Sequence, residues 1–214
     1  MRTSLKIICS TIAIATIAMT SPAAAASFTS YSNSTDFFNA ISSSNYTETF
    51  SAITNGGFAN TNFSSNGFTI NASSVSGLYG ETLAGSSPSI RLLSSGGAAS
   101  TELLFTFTTN VFAVGGYFLS AEAVAKPGSF TATVVAAGNI TNVFTNNTTT
   151  FDNSYLGWIF DTNIISLTLS TDPENAGFAS AAEMTVAVPE PSTYALLGLA
   201  AAGLAGYLLR RRRA

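Results

Sequence analysis

The chain has 214 residues, 46% of them hydrophobic and only 9% charged, with a formal net charge of −3, a single cysteine and no histidine. Without histidine, Ser-His-Asp and Cys-His catalysis, a His-ligated zinc and the usual neutral-pH proton shuttle are excluded, and one cysteine allows no disulfide within the chain. Between Ser27 and Val188 only Arg91 and Lys126 oppose ten acidic residues, a net −8, a balance that argues against a nucleic-acid partner.

Residues 1–26 carry Arg2 and Lys6, an apolar run from Ile7 to Met19, then Ser21-Pro22 and four alanines. That order is a secretory signal peptide, read by the Sec export machinery and signal peptidase. Ala24 and Ala26 fit the small-residue site, which places cleavage before Ser27. Cys9 lies near the start of the apolar run rather than after it, so it is not the lipidated cysteine of a lipoprotein.

The stretch Ser34 to Ser43 has a capping residue, Asp36 in its first turn, and Phe37, Phe38 and Ile41 at helical spacing. One short helix is expected there, plugging one end of a sheet core. From Tyr46 onward, short apolar and Thr-rich runs are separated by Gly, Asn and Ser clusters, which is an all-β pattern. Leu103, Phe105 and Phe107 alternate with polar neighbours; so do Ile165, Leu167 and Leu169, then Phe130 to Ala136, and Met184 to Val188. Each such strand has one buried face. Further strands are expected at Thr47 to Phe50, Gly67 to Ala72, Ser89 to Leu93, Val111 to Leu119, Asn139 to Phe144 and Leu156 to Phe160, with a bend at Gly115-Gly116. About ten antiparallel strands must close over a core, and the expected fold is a jelly-roll-like β-sandwich with one short N-terminal helix.

Candidate chemistry is sparse. Asp172-Pro-Glu174-Asn175 gathers two carboxylates and an amide, an oxygen set of the kind Ca²⁺ takes; the preferred reading is a solvated turn shaped by Pro173, with no cofactor. Glu48, Glu81, Glu102, Glu122 and Glu183 are the acids from which a glycoside hydrolase pair could be drawn, and no spacing singles out two of them. Tyr79, Tyr117, Tyr155 and Trp158 are the aromatics that could stack on a sugar. For Trp158, flanked by Leu156, Ile159 and Phe160, core packing is the preferred reading; Tyr79, between Gly77 and Gly80, is the more exposed candidate.

The C-terminus is built differently. Pro189 and Pro191 fix φ and remove two backbone donors, so the chain around Glu190 stays extended and open to an enzyme cleft. The uncharged run Tyr194 to Leu209 follows, interrupted by Gly198, Gly203 and Gly206, and Arg210, Arg211, Arg212 and Arg213 close it. As a helix the run spans roughly 24 Å, slightly short of a roughly 30 Å bilayer core, which Ser192, Thr193 and snorkelling arginines make up. The arginine cluster is a stop-transfer signal.

Pro189, Glu190, Pro191 and Ser192, with the glycine-broken apolar helix and the arginine cluster, resemble the PEP-CTERM sorting signal of Gram-negative envelope proteins. The resemblance implies recognition by exosortase, removal of the tail, and delivery to the cell surface or extracellular matrix. The chain then divides into a signal peptide (1–26), a β-sandwich ectodomain (27–187) and a sorting signal (188–214). The expected product is a non-enzymatic surface protein, transiently held in the membrane and associated with extracellular polysaccharide or biofilm; a carbohydrate-binding module is the alternative, and a carboxylate glycoside hydrolase the third reading. The run of apolar residues and glycines from Val111 to Leu169 also resembles, loosely, ectodomains found ahead of such signals.

Overall fold

A computed structural model describes residues 27–41, 44–82, 90–96, 102–121, 129–138, 140–147, 151–171 and 177–188. Residues 1–26, 172–176 and those beyond 188 lie outside these residues, so the expectations for the leader with Ala24 and Ala26, for Asp172, Glu174 and Asn175, and for the sorting motif, the apolar run and the arginine cluster fall there too. Among the described residues, no helix is long and apolar enough to cross a membrane.

The described residues are mostly β. In order come β1 (Phe28–Tyr31), α1 (Ser34–Ala40), β2 (Asn45–Glu48), β3 (Gly56–Phe58), β4 (Thr61–Ser65), β5 (Phe68–Ser73), β6 (Leu78–Thr82) and β7 (Arg91–Ser95). The second half holds β8 (Leu103–Ala121), β9 (Ser129–Ala136), β10 (Ile140–Asn147), β11 (Tyr155–Thr171) and β12 (Phe178–Ala187). Local chemistry sets several boundaries. Asn33 caps α1 by accepting from the Asp36 N–H at 2.8 Å. β4 and β5 are joined by Asn66-Gly67, both at positive φ (53° and 80°), the two-residue turn whose twist matches a hairpin.

All strand pairs are antiparallel, and they form one sheet ordered β10-β9-β11-β8-β12-β7-β6-β3, with β1 on β11, β2 on β12, and β5 with β4 on β8. The expected antiparallel strands are thus joined into one curled sheet. The reason lies in β8 and β11. The polar triplets Thr108-Thr109-Asn110 and Asp161-Thr162-Asn163 look like loops between strands, yet the backbone runs through both. The β8–β11 register shifts there, between Ile159 and Ile164 and again before Ser166. Bulges of this kind turn a strand through a corner without ending it. Beyond the corner β11 exchanges β1 for β9 as its outer neighbour, and β8 exchanges β12 for β5.

The curl encloses one main core. Phe68, Ile70, Leu103, Phe105, Val134, Trp158, Leu167, Leu169 and Met184 belong to a single buried cluster. Phe144 of β10 reaches Trp158 of β11 at 4.9 Å between ring centres, and Phe50 reaches Phe105 at 6.5 Å. Each such side chain contributes about 1.5–3 kcal/mol on full burial.

Helix α1 does not plug an end of this core. Its buried Phe37 joins a second cluster with Ala113, Tyr155 and Ala187, packed by Tyr31, Ile41, Tyr117 and Ile159. In β11 these residues alternate with Trp158 and Phe160 of the main core, so α1 covers the opposite face of the sheet. At Gly115-Gly116, where a bend is expected, the β8–β12 register shifts between Ala182 and Thr185; the extra residue lies in β12, where Glu183 sits at φ 50°.

Candidate functional site

One groove of about 560 Å³ runs along the β6–β7 side of the sheet, lined by Asn55, Tyr79, Glu81, Ser94, Ser95 and Phe178 among others. Strand alternation builds it. Tyr79 and Glu81 are two residues apart on β6 and share a face. Tyr79 stands across from Gly57 on β3 and from Ser94 on β7, and Ser94 in turn faces Ser180 on β12. Gly57 puts no side chain beside the Tyr79 ring, which is 44% exposed.

Polar groups converge below that ring. Ser94 Oγ donates to Glu81 Oε1 at 3.1 Å and lies 2.6 Å from Ser180 Oγ, a hydroxyl chain across three strands. Asn55 Oδ1 accepts from Arg91 Nη1 and, at 3.4 Å, from Thr82 Oγ1. Ser95 Oγ is buried and has no hydrogen-bond partner. Burial pushes the Glu81 carboxyl above its ordinary range, and the Ser94 hydrogen bond opposes this only in part. An exposed aromatic face beside a carboxylate, an amide and hydroxyls can stack on a sugar ring and bond its hydroxyls. Glu81 is the only carboxylate among the described residues that line the groove.

The other described candidates do not join it, and Glu122 lies outside the described residues. Trp158 is 1% exposed and lies in the main core; it borders a second groove with Tyr31 and Phe144 but presents no free face there. Core packing, the preferred reading for this residue, describes its place in the structure. Tyr117 is stacked on Phe151 at 4.6 Å and edge-on to Tyr155 at 5.2 Å, so its ring is covered. Tyr155 is buried with its hydroxyl unpartnered, and burial raises its pKa. Glu48 accepts from the Tyr46 hydroxyl and from the Phe50 N–H, pinning the turn after β2. Glu102 and Glu183 are exposed. Among the described residues, no three His, Cys, Asp or Glu gather as a metal site.

Ser27, the expected first residue after the leader, is in place beside Asp161. Its N–H and Oγ donate to Asp161 Oδ2 at 3.0 and 2.9 Å, and the Asp161 N–H returns to the Ser27 carbonyl at 3.2 Å. Sequence reading did not pair these residues; nothing local connects positions so far apart. Asn55, Ser94 and Phe178 were missed for the same reason, since only strand register brings them to Tyr79.

Residues 187–213 match the PEP-CTERM protein-sorting motif. That motif is the recognition signal for exosortase and implies a secreted protein that transits the membrane and is sorted to the cell exterior. No curated protein matches the chain. The motif begins at Ala187, the last residue of β12, where the final described backbone bond runs from Val188 N–H to the Ser44 carbonyl at 3.4 Å.

Proposed function

We propose that this chain is a non-enzymatic surface protein: a leader-directed precursor held in the inner membrane by its C-terminal helix, processed by exosortase, and delivered to the cell surface or extracellular matrix beside exopolysaccharide. The match at residues 187–213 carries the reading. The fold supports it, because the last described strand ends at Ala187 and removal of the tail takes away no described strand. Glu190→Ala leaves the apolar run and the arginines in place, so membrane insertion survives while recognition is lost. Fractionation should find this variant in the inner membrane with its tail attached. Processing and surface delivery equal to the wild type would reduce Pro189 to Pro191 to a linker and overturn the reading.

The second reading is a carbohydrate-binding module on the same sheet, favoured by the exposed Tyr79 ring beside Glu81. It differs from the first in predicting saturable binding. Titration with soluble exopolysaccharide fragments, followed by NMR, should shift resonances of β6 and β7 in the wild type and not in Tyr79→Ala. Fragments that shift neither leave the ectodomain a passive matrix component.

A further inference from the structure

The Ser27 and Asp161 contacts close the end of the β1–β11 ladder, one step beyond the Phe28–Phe160 pair. Two donors from one residue converge on a single carboxylate oxygen, Oδ2, and β1 has β11 as its hydrogen-bonded neighbour in the sheet. The Asp161 carboxyl is held below its usual range, first by the Ser27 N–H and then by the Ser27 hydroxyl; desolvation opposes them, and its own N–H adds a smaller lowering.

Leader cleavage would change the first of those donors chemically. Hydrolysis of the Ala26–Ser27 peptide bond adds one water across it. Ala26 leaves as a carboxylate, and the Ser27 nitrogen becomes an amine that takes a proton. The nitrogen now 3.0 Å from Oδ2 is then a full cation instead of a peptide N–H, and a charge-assisted hydrogen bond replaces a neutral one.

We infer that Asp161 is the receptor for the mature amino terminus: cleavage before Ser27 creates an ammonium–carboxylate latch that fixes edge strand β1 and sets the chain's first residue. This rests on the export reading. Register makes the latch specific to one bond. Cleavage one residue earlier or later moves the ammonium by about 3.3 Å along the strand, out of hydrogen-bonding reach. Because the pair is exposed, its effect lies in the reactivity of the amine rather than in bulk stability. An unpaired α-amine titrates at about 7.7–8.0, and pairing raises it. The latch is therefore present below about pH 8 and is lost as pH rises through the raised value. On the acid side it is present above the ordinary Asp value of about 3.9 and is lost as pH falls through the lowered one.

The test is carried out on the processed chain from an exporting bacterial host and on Ser27 to Ala214 released in detergent from an N-terminal fusion by a protease that leaves no extra residue. Mass spectrometry identifies the first residue, and an acylating reagent at pH 7 then competes for the α-amine, with Lys126 as the internal reference. The host product should begin at Ser27. Its α-amine should label about threefold more slowly than in Asp161→Asn, because the paired amine is held in its unreactive protonated form. Ser27→Ala, which keeps the amine and loses only the hydroxyl donor, should stay slow. Recovery of a chain beginning at Met1 overturns the export reading, while the released chain still judges the latch. Equal labelling in wild type and Asp161→Asn overturns the latch itself, as does a mature chain that starts at any other residue.

Discussion

Gly115 of β8 and Gly157 of β11 are direct cross-strand partners, and the Phe37 ring of α1 occupies the space that two side chains would fill. A Cβ on Gly157 would come 2.9 Å from Phe37 Cε2 and overlap Cδ2, and one on Gly115 would come 2.9 Å from Cε1 and 2.6 Å from the Tyr155 hydroxyl. The paired glycines form a dent in the sheet, and the helix is held on the outer face because one aromatic ring fits into it.

Gly157→Ala should therefore destabilise the ectodomain by about 1–3 kcal/mol, the range for overpacking a close-fitted site. Urea unfolding measures it. In the double variant with Phe37→Leu the combined loss should be smaller than the sum of the two single losses, because the smaller side chain leaves room for the new methyl. Strict additivity would mean that Phe37 and Gly157 do not meet.

Leu167 is fully buried in the main core. Leu167→Asp should abolish folding, since an unpaired carboxylate at that position costs several kcal/mol. Circular dichroism of the exported variant should lose its β signature; a native-like spectrum would place Leu167 on the surface and refute the alternation read for β11.

That alternation was plain in the sequence where Leu103 to Phe107, Phe130 to Ala136 and Leu167 to Leu169 bury one face; Ile165, expected to share the buried face of Leu167, is instead 46% exposed and Ile164 is buried, because the register shifts between Ile164 and Ser166. The start of β12 was not. Ala179, Ser180, Ala181 and Ala182 are all buried, so both faces are covered and no period of two remains. β6 was hidden by Gly80, whose missing side chain is replaced by the Thr54 carbonyl and by Ile53 Cδ1 at 3.3 Å. The corners of β8 and β11 were misread as strand ends because Asn110 and Asn163 are turn formers; here their side chains bond each other at 3.0 Å across the bend. Of the groove, Tyr79 was legible as an aromatic between glycines. The polar groups around it come from separate strands, and no local pattern records their register.

Tyr79 and Trp158 should separate in a stability measurement. Trp158→Ala empties the centre of the main core and should cost about 3–5 kcal/mol. Tyr79→Ala removes a ring that is 44% exposed, and should change stability by no more than about 0.5 kcal/mol. A Tyr79 variant as unstable as the Trp158 variant would make the exposed ring a packing residue and remove the case for a stacking site.

Glu81 supplies a pH-dependent prediction. Its folded-state pKa is raised by burial, more than the Ser94 bond lowers it, so the folded protein holds this proton more tightly than the unfolded chain. The contribution of the neutral carboxyl is fully present below the unfolded value of about 4.3 and is lost as pH rises through the folded value, beyond which it stays constant. Glu81→Gln cannot ionise. Relative to the wild type it should gain nothing at pH 3.5, gain progressively as pH rises, and reach its full advantage by neutral pH. Subtracting the wild-type curve removes the opposite slope from Asp161, whose pKa is lowered. Urea midpoints at pH 3.5 and pH 7 decide the matter: a constant difference between the two proteins would mean that the Glu81 carboxylate is as well solvated in the groove as in the unfolded chain.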